Sequence, residues 1–277
     1  MKVALVTIGR LENRYAVEFV EYYKQLGFDH IFIADNNHEG EEHFEDVLQS
    51  YIDEEYVTIF NFRNLIAYQL KAYIKIYYKI SKEYDWIAFF DFDEYLTLVK
   101  DKTIKDYLSR DCFKNINQIL INWKTYTDND LVYDDGRPLI KRFTTPMDIN
   151  KIVNIYLPEN YHVKSIIKTN IEHIYNYNPH CFYNDILANT SCNNNGTKPE
   201  GIYKDKLHYQ PINYDLSYIK HFPTKTIEEW VKNKFIKGTG DKNLNDFKRM
   251  YSNIFFIYNE KTNDKINYLK LHNINLE

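Results

Sequence analysis

Trp86-Ile87-Ala88-Phe89-Phe90 is an unbroken apolar run, and the carboxylates Asp91, Asp93 and Glu94 follow it at once. A short apolar run bounded by charge reads as a strand buried on both faces, the habit of parallel sheets. In an open α/β sheet, ligands gather just beyond the carboxyl ends of the strands. Asp91 and Asp93 are two apart, so an extended backbone points both side chains the same way. Hard oxygen donors at such a place suit Mg²⁺ or Mn²⁺ together with a phosphorylated ligand.

The preceding residues supply the rest of such a sheet. Residues 3–8 read as a first strand. Residues 11–26 follow as a helix, with Tyr15, Phe19, Tyr22, Tyr23 and Leu26 at helical spacing and Gly27 as its stop. Residues 30–34 and 56–60 read as strands, and 41–51 and 64–84 as helices. The order βαβαβαβ predicts an α/β fold with a doubly wound, mostly parallel sheet and right-handed crossovers. Three polar tips, Thr7-Ile8-Gly9-Arg10, Asp35-Asn36-Asn37 and Asp91-Phe92-Asp93, are expected to meet on one sheet edge, the geometry of a nucleotide site.

Beyond residue 100 the pattern loosens. A short helix is expected over 103–110 and a strand over 118–123. Residues 125–136 form a polar loop holding Asp128, Asp130, Asp134 and Asp135. Strands are expected over 139–143, 152–157 and 163–168. The Asn-, Gly- and Pro-rich segment 176–201 reads as a long loop. A helix is expected over 224–236, with Ile227, Trp230, Val231 and Phe235 on one face, Thr224 or Thr226 as its cap, and Glu228 and Glu229 in its first turn. The charged tail 243–277 reads as helical. The expected organisation is a domain over 1–240, with a nucleotide-binding half (1–100) and an acceptor-side half (101–240), then a helical extension over 241–277.

A net charge of −4 argues against a general nucleic-acid binder, which would be basic. Cys112, Cys181 and Cys192 are widely spaced, and no CxxC occurs, which argues against a zinc site or a disulfide framework and fits a reducing compartment. No apolar run approaches the ~18 residues that span a bilayer, and the N-terminal apolar run is too short for a signal peptide. The expected location is the cytoplasm, with peripheral contact at the inner membrane face through Lys232, Lys234 and Lys237; the alternative for that charge run is a solvated helix face.

Several ordered patterns resemble glycosyltransferases of the A-type fold, within them family 92 and its bacterial relatives. The segment from Arg10 through Tyr15 and Glu18 to Tyr23 resembles the family's opening lysine-asparagine-glutamate segment and helix, with Arg10-Leu11 in place of the usual lysine-asparagine pair. Residues 26–37 resemble its second strand and nucleotide-facing tip. Tyr68-Gln69 with Ala72-Tyr73 resembles its glutamine-containing helix, and Asp91-Phe92-Asp93-Glu94-Tyr95 its aspartate-x-aspartate-glutamate-aromatic signature. Asn122-Trp123-Lys124, Pro179-His180 and the segment from His221 through Lys225 to Trp230, followed by Lys234 and Gly238, resemble later elements in the family's order.

The resemblance implies metal-dependent transfer of a hexose, galactose in the nearest reading, from a UDP-sugar to a glycan or lipid-linked glycan acceptor. It implies inversion, Mn²⁺ or Mg²⁺ as cofactor, and a role in surface polysaccharide or glycoconjugate synthesis. Asp91, Asp93 and His221 are the expected metal ligands, with Glu94 orienting a ligand. Thr7, Arg10, Asp35, Asn36, Gln69 and Asp91 are the expected nucleotide-sugar contacts. Lys225 is expected to neutralise the leaving diphosphate. Inversion needs a carboxylate base opposite the diphosphate; Asp128 and Asp130 are the candidates and Asp185 the runner-up. Trp123, Tyr175, Tyr177 and Tyr183 either stack on sugar or pack the core. Two readings compete: a metal-dependent nucleotidyltransferase, weakened by the lack of a Gly-rich phosphate loop, and a glycan-binding module, which would need Ca²⁺ to explain the clustered acids.

Overall fold

The computed structural model describes residues 1–149, 159–200, 207–236 and 254–275. The first half alternates as its periodicity predicts: β1 (Val3–Gly9), α1 (Asn13–Gln25), β2 (His30–Asp35), α2 (Glu45–Asp53), β3 (Val57–Asn61), α3 (Gln69–Ile80) and β4 (Trp86–Phe89). The strands lie parallel in the order β3-β2-β1-β4. Side-chain alternation along β1 explains the double winding. Val3 and Leu5 enter a core with Phe19, Val20 and Tyr23 of α1, whereas Ala4, Val6 and Ile8 enter one with Ala72, Tyr73, Ile76 and Tyr77 of α3. Both faces of the strand are thus covered, so it carries no polar alternation. Gly27, at φ +91°, closes α1 in the left-handed region.

The second half extends the sheet through antiparallel pairs. After β5 (Glu94–Leu98) and α4 (Ile104–Leu108) come β6 (Gln118–Thr125), α5 (Leu139–Arg142), β7 (Val163–Lys168), α6 (Asp185–Thr190), β8 (Ser191–Asn193) and β9 (Ser217–His221). β7 pairs antiparallel with β4 and β6, β9 lies parallel to β6, and β5 runs antiparallel to β9. The chain then forms α7 (Ile227–Trp230), a π turn (Val231–Ile236), α8 (Ile254–Tyr258) and α9 (Asn263–Leu271). Phe255, Tyr268 and Leu269 pack on Ile227, Trp230 and Val231. Among the described residues, no helix is long and apolar enough to cross a membrane.

Several expectations are corrected. In place of the strand expected over 139–143, residues 139–142 form a helix: Pro138 starts it, and the Glu18 carboxylate accepts from the Leu139 N–H. The segment 176–201 is not one loop; Asn184 caps α6, and β8 pairs with the start of β6. The helix expected over 224–236 is an α turn followed by a π turn, and Thr226, not Thr224, caps it in a box with Glu229. The strand expected over 152–157 and Lys237 lie outside the described residues. So does much of the tail expected to be helical, of which α8 and α9 are described.

Candidate active site

The ladder registers bring the polar ends together. Gly9 faces Asp35 across β1–β2, and Glu94 faces His221 across β5–β9. Thr125 also faces His221, across β6–β9. The chain turns from β4 into β5 through Asp91-Phe92-Asp93, so the acids sit where a parallel strand ends and an antiparallel one begins.

Phe92, between the two aspartates, is a core residue. Its ring stacks on Phe44 at 5.4 Å and tilts against Phe19 at 4.8 Å. Gly9 leaves the room for it: a Cβ there would lie 2.5 Å from the Phe92 ring and 2.8 Å from Phe44. The acids are therefore keyed to the core by the residue between them. Gly9→Ala is expected to destabilise the fold by about 1–3 kcal/mol through overpacking and to weaken cation-dependent UDP binding in parallel. Urea unfolding and calorimetry on the same variant test both; unchanged stability would show that Phe92 yields freely.

Asp91 and Asp93 point into different surroundings. Asp91 accepts hydrogen bonds from Gln69 (2.8 Å), Tyr73 (2.7 Å) and the ammonium of Lys164 (2.7 Å). Lys164 is fully buried and also lies 3.5 Å from Glu94. Burial opposes its charge, but Asp91 and Glu94 more than compensate and raise its pKa. Asp93 has Lys234 at 3.4 Å and Lys225 at 3.6 Å. Burial works against its ionisation, yet Lys234, Lys225, His221 and Lys164 together hold its carboxyl far below the usual carboxylate range. Glu94 is fully buried, and burial drives its carboxyl well above that range; Lys164 opposes the shift and Asp91 and Asp93 add to it.

Asp93, Glu94 and His221 each offer one ligand atom, all within 4.8 Å of one another. Glu94 Oε1 is buried without a hydrogen-bond partner. Carboxylate and imidazole donors with spare acceptor capacity fit a divalent ion such as Mn²⁺. Asp91, expected among the ligands, falls outside this trio because Gln69, Tyr73 and Lys164 occupy it.

The His221 ring stacks on Trp123 at 3.9 Å, and the Trp123 ring also stacks against His162 at 5.2 Å. Trp123 is thus sandwiched rather than open to sugar. Glu159 Oε2 lies 3.5 Å from His221 Nδ1. Burial opposes its charge, but His221 holds the Glu159 carboxyl below its ordinary range. Lys225 has φ +54°, a strained backbone for a non-glycine residue. It is held between Asp93 and the Tyr15 ring, 4.8 Å from its centroid, and the Thr226–Glu229 cap follows at once. The π turn presents Lys234 to the same Asp93.

The other expected contacts are arranged differently. Thr7 is buried inside β1 with its hydroxyl unpartnered. Arg10 forms a two-pronged pair with Glu41, drawing that carboxyl down to about 2. Asp35 is paired with Arg63 at 2.7 Å and accepts from Asn37. Asn36 ties the backbone of Phe62 and Leu65. Asp128 and Asp130 follow Tyr126, whose N–H donates to His221 O, so their turn leaves the sheet beside the trio. Lys265 of α9 pairs with both, at 2.6 and 3.1 Å. Asp185 is exposed on α6, just past Phe182, which bonds Gln118 at the opposite end of β6. Tyr175, Tyr177 and Tyr183 cluster with one another, and Tyr183 reaches His208. Lys232 is exposed and pairs with Glu228.

The profile of glycosyltransferase family 92 matches residues 11–251, and the chain belongs to that family. Membership sets aside the nucleotidyltransferase and glycan-binding readings. No curated protein sequence matches the chain. Among solved structures, it is similar to S. aureus TarS 1–349 in complex with UDP, at 13% identity, covering 92% of this chain and 71% of that one with a TM-score of 0.44. TarS 1–349 with UDP-GlcNAc gives 12% identity, coverage of 92% and 72%, and a TM-score of 0.44. The mannosyltransferase PcManGT from Pyrobaculum calidifontis, in complex with GDP-Man and Mn²⁺, gives 8% identity, coverage of 43% and 35%, and a TM-score of 0.32. The chain thus spans about a third of PcManGT.

Proposed function

We propose that the chain transfers a hexosyl group, galactose in the first instance, from a UDP-sugar to a glycan or lipid-linked glycan acceptor with inversion. The acceptor would be part of a surface polysaccharide or glycoconjugate, and the reaction would take place on the cytoplasmic face of the membrane. Residues 1–240 would be the transferase unit and 241–277 an extension. The observation that carries the reading is the meeting of Asp93, Glu94 and His221 with Lys225 and Lys234 on the sheet edge.

Asp93 and His221, with Glu94 beside them, would hold Mn²⁺, which when bound supplies Lewis-acid stabilisation of the departing diphosphate. Lys225 and Lys234, now facing Asp93, are placed to meet the negative charge that develops on that leaving group. Gln69, Tyr73 and Lys164 hold Asp91 in place, and from there it would act on the nucleotide sugar rather than on the cation. Asp130, two-thirds exposed, is the side chain of its turn able to take the acceptor's proton; Asp128 is buried against Lys265.

Calorimetric titration of UDP into the full chain, with and without Mn²⁺, tests the reading. Binding that appears only with Mn²⁺ is expected. Absence of UDP binding under both conditions would overturn it.

A further inference from the structure

We propose that Glu159 is a positioning residue that accepts the Nδ1 proton of His221, fixing the tautomer that leaves the Nε2 lone pair free for a cation. The inference rests on the metal reading above and deepens it: the cation site would be set before any cation arrives.

Three observations carry it. First, His221 Nδ1 and Glu159 Oε2 lie 3.5 Å apart, and both are buried with no other hydrogen-bond partner. Each is the complement the other lacks, and a buried polar atom left unpaired costs free energy. Second, the imidazole plane is already held, because Trp123 stacks on it at 3.9 Å and His162 backs Trp123. With the plane held, the position of the ring proton decides which nitrogen can coordinate. Third, Glu159 is anchored to the strands that present His221. The side chain of Asn160 accepts from the Thr125 N–H at 2.8 Å, its carbonyl accepts from Asn122, and Thr125 faces His221 in the ladder. Tyr258 of α8 also reaches the Glu159 carboxylate.

A histidine coordinates through a lone pair, so the proton must sit on the nitrogen facing away from the ion. A carboxylate behind the ring enforces this and makes the coordinating nitrogen more basic. Without it both tautomers populate, and the cation must select one. Removing such a partner commonly costs 10–100-fold in metal affinity.

The test compares the full chain with Glu159→Leu and Glu159→Gln. Mn²⁺ binding without nucleotide is followed by electron paramagnetic resonance of the free ion, and fold by circular dichroism. Metal-free protein labelled with ¹⁵N-histidine reports the His221 tautomer directly, a readout that loss of packing alone would not move. Expected are a proton on Nδ1 in the parent chain and Mn²⁺ affinity reduced about 10-fold or more in Glu159→Leu. Glu159→Gln, whose carbonyl still accepts, should fall between. A parent chain that binds no Mn²⁺ would remove the metal reading itself. A parent chain that binds Mn²⁺ while its His221 carries the proton on Nε2, or while both variants bind within twofold of it, would overturn the role of Glu159. Should Glu159→Leu fail to fold, Glu159→Gln and the parent tautomer decide the matter.

Discussion

Asp93→Asn is expected to lower sugar transfer by about 10²–10³-fold, the scale seen when one part of the apparatus that stabilises developing charge is removed. The substitution keeps the volume and removes the charge. Asp93 is the acid about which the site is organised, since His221 and Glu94 converge with it and Lys225 and Lys234 both face it. Transfer from a panel of UDP-sugars, assayed at saturating Mn²⁺, measures the loss. Asp91→Asn should act differently. It strands the buried Lys164 between Gln69, Tyr73 and Glu94, so part of its effect should appear as lost stability. An Asp93→Asn enzyme that keeps most of its rate would remove this acid from the mechanism.

Arg142→Met is expected to destabilise the protein by about 3–5 kcal/mol. The Arg142 side chain has no exposure and holds Glu229 through two bonds of 2.8 Å. Glu229 also accepts from the Tyr15 hydroxyl at 2.6 Å and completes the Thr226 capping box. Removing the guanidinium leaves a carboxylate stranded in the core, whereas replacing both partners with apolar groups would recover much of the loss. Denaturant unfolding measures it as a lower midpoint at unchanged slope. A change below about 1 kcal/mol would mean that Glu229 finds another partner or a proton. Because the same cap orients Lys225, partial loss of transfer should accompany the loss of stability.

The sequence made some of this legible and hid the rest for physical reasons. β1 to β4 are long enough, and their helices amphipathic enough, for local periodicity to show them. β5 and β9 escaped notice. Glu94 to Leu98 begins inside the acidic motif, and Ser217 to His221 alternates Ser, Tyr, Ile, Lys and His, a pattern any polar loop could show. Helix α5 looks like a strand in sequence because Leu139-Ile140 suits either state, and Pro138 decides it. Asp91, Asp93 and His221 stood out by type and place. Lys164 did not, because a lysine within Val163–Lys168 reads as the solvent side of a strand until the acids beneath it are known. Glu159 and Arg63 were hidden in the same way: each matters through a partner distant in sequence, and such pairings leave no local trace. Arg10, with its charge, invited a phosphate but is held by Glu41.

The placement of Lys164 bears on how the chain is made. It leaves the ribosome 73 residues after Asp91, a delay of about 4–15 s at ordinary rates of synthesis. Throughout that interval Glu94 has no cation to lie against, and β4 lacks the neighbour that covers its open edge. The nascent first half of the chain therefore cannot close its own sheet and must wait, edge exposed, for the segment that completes it.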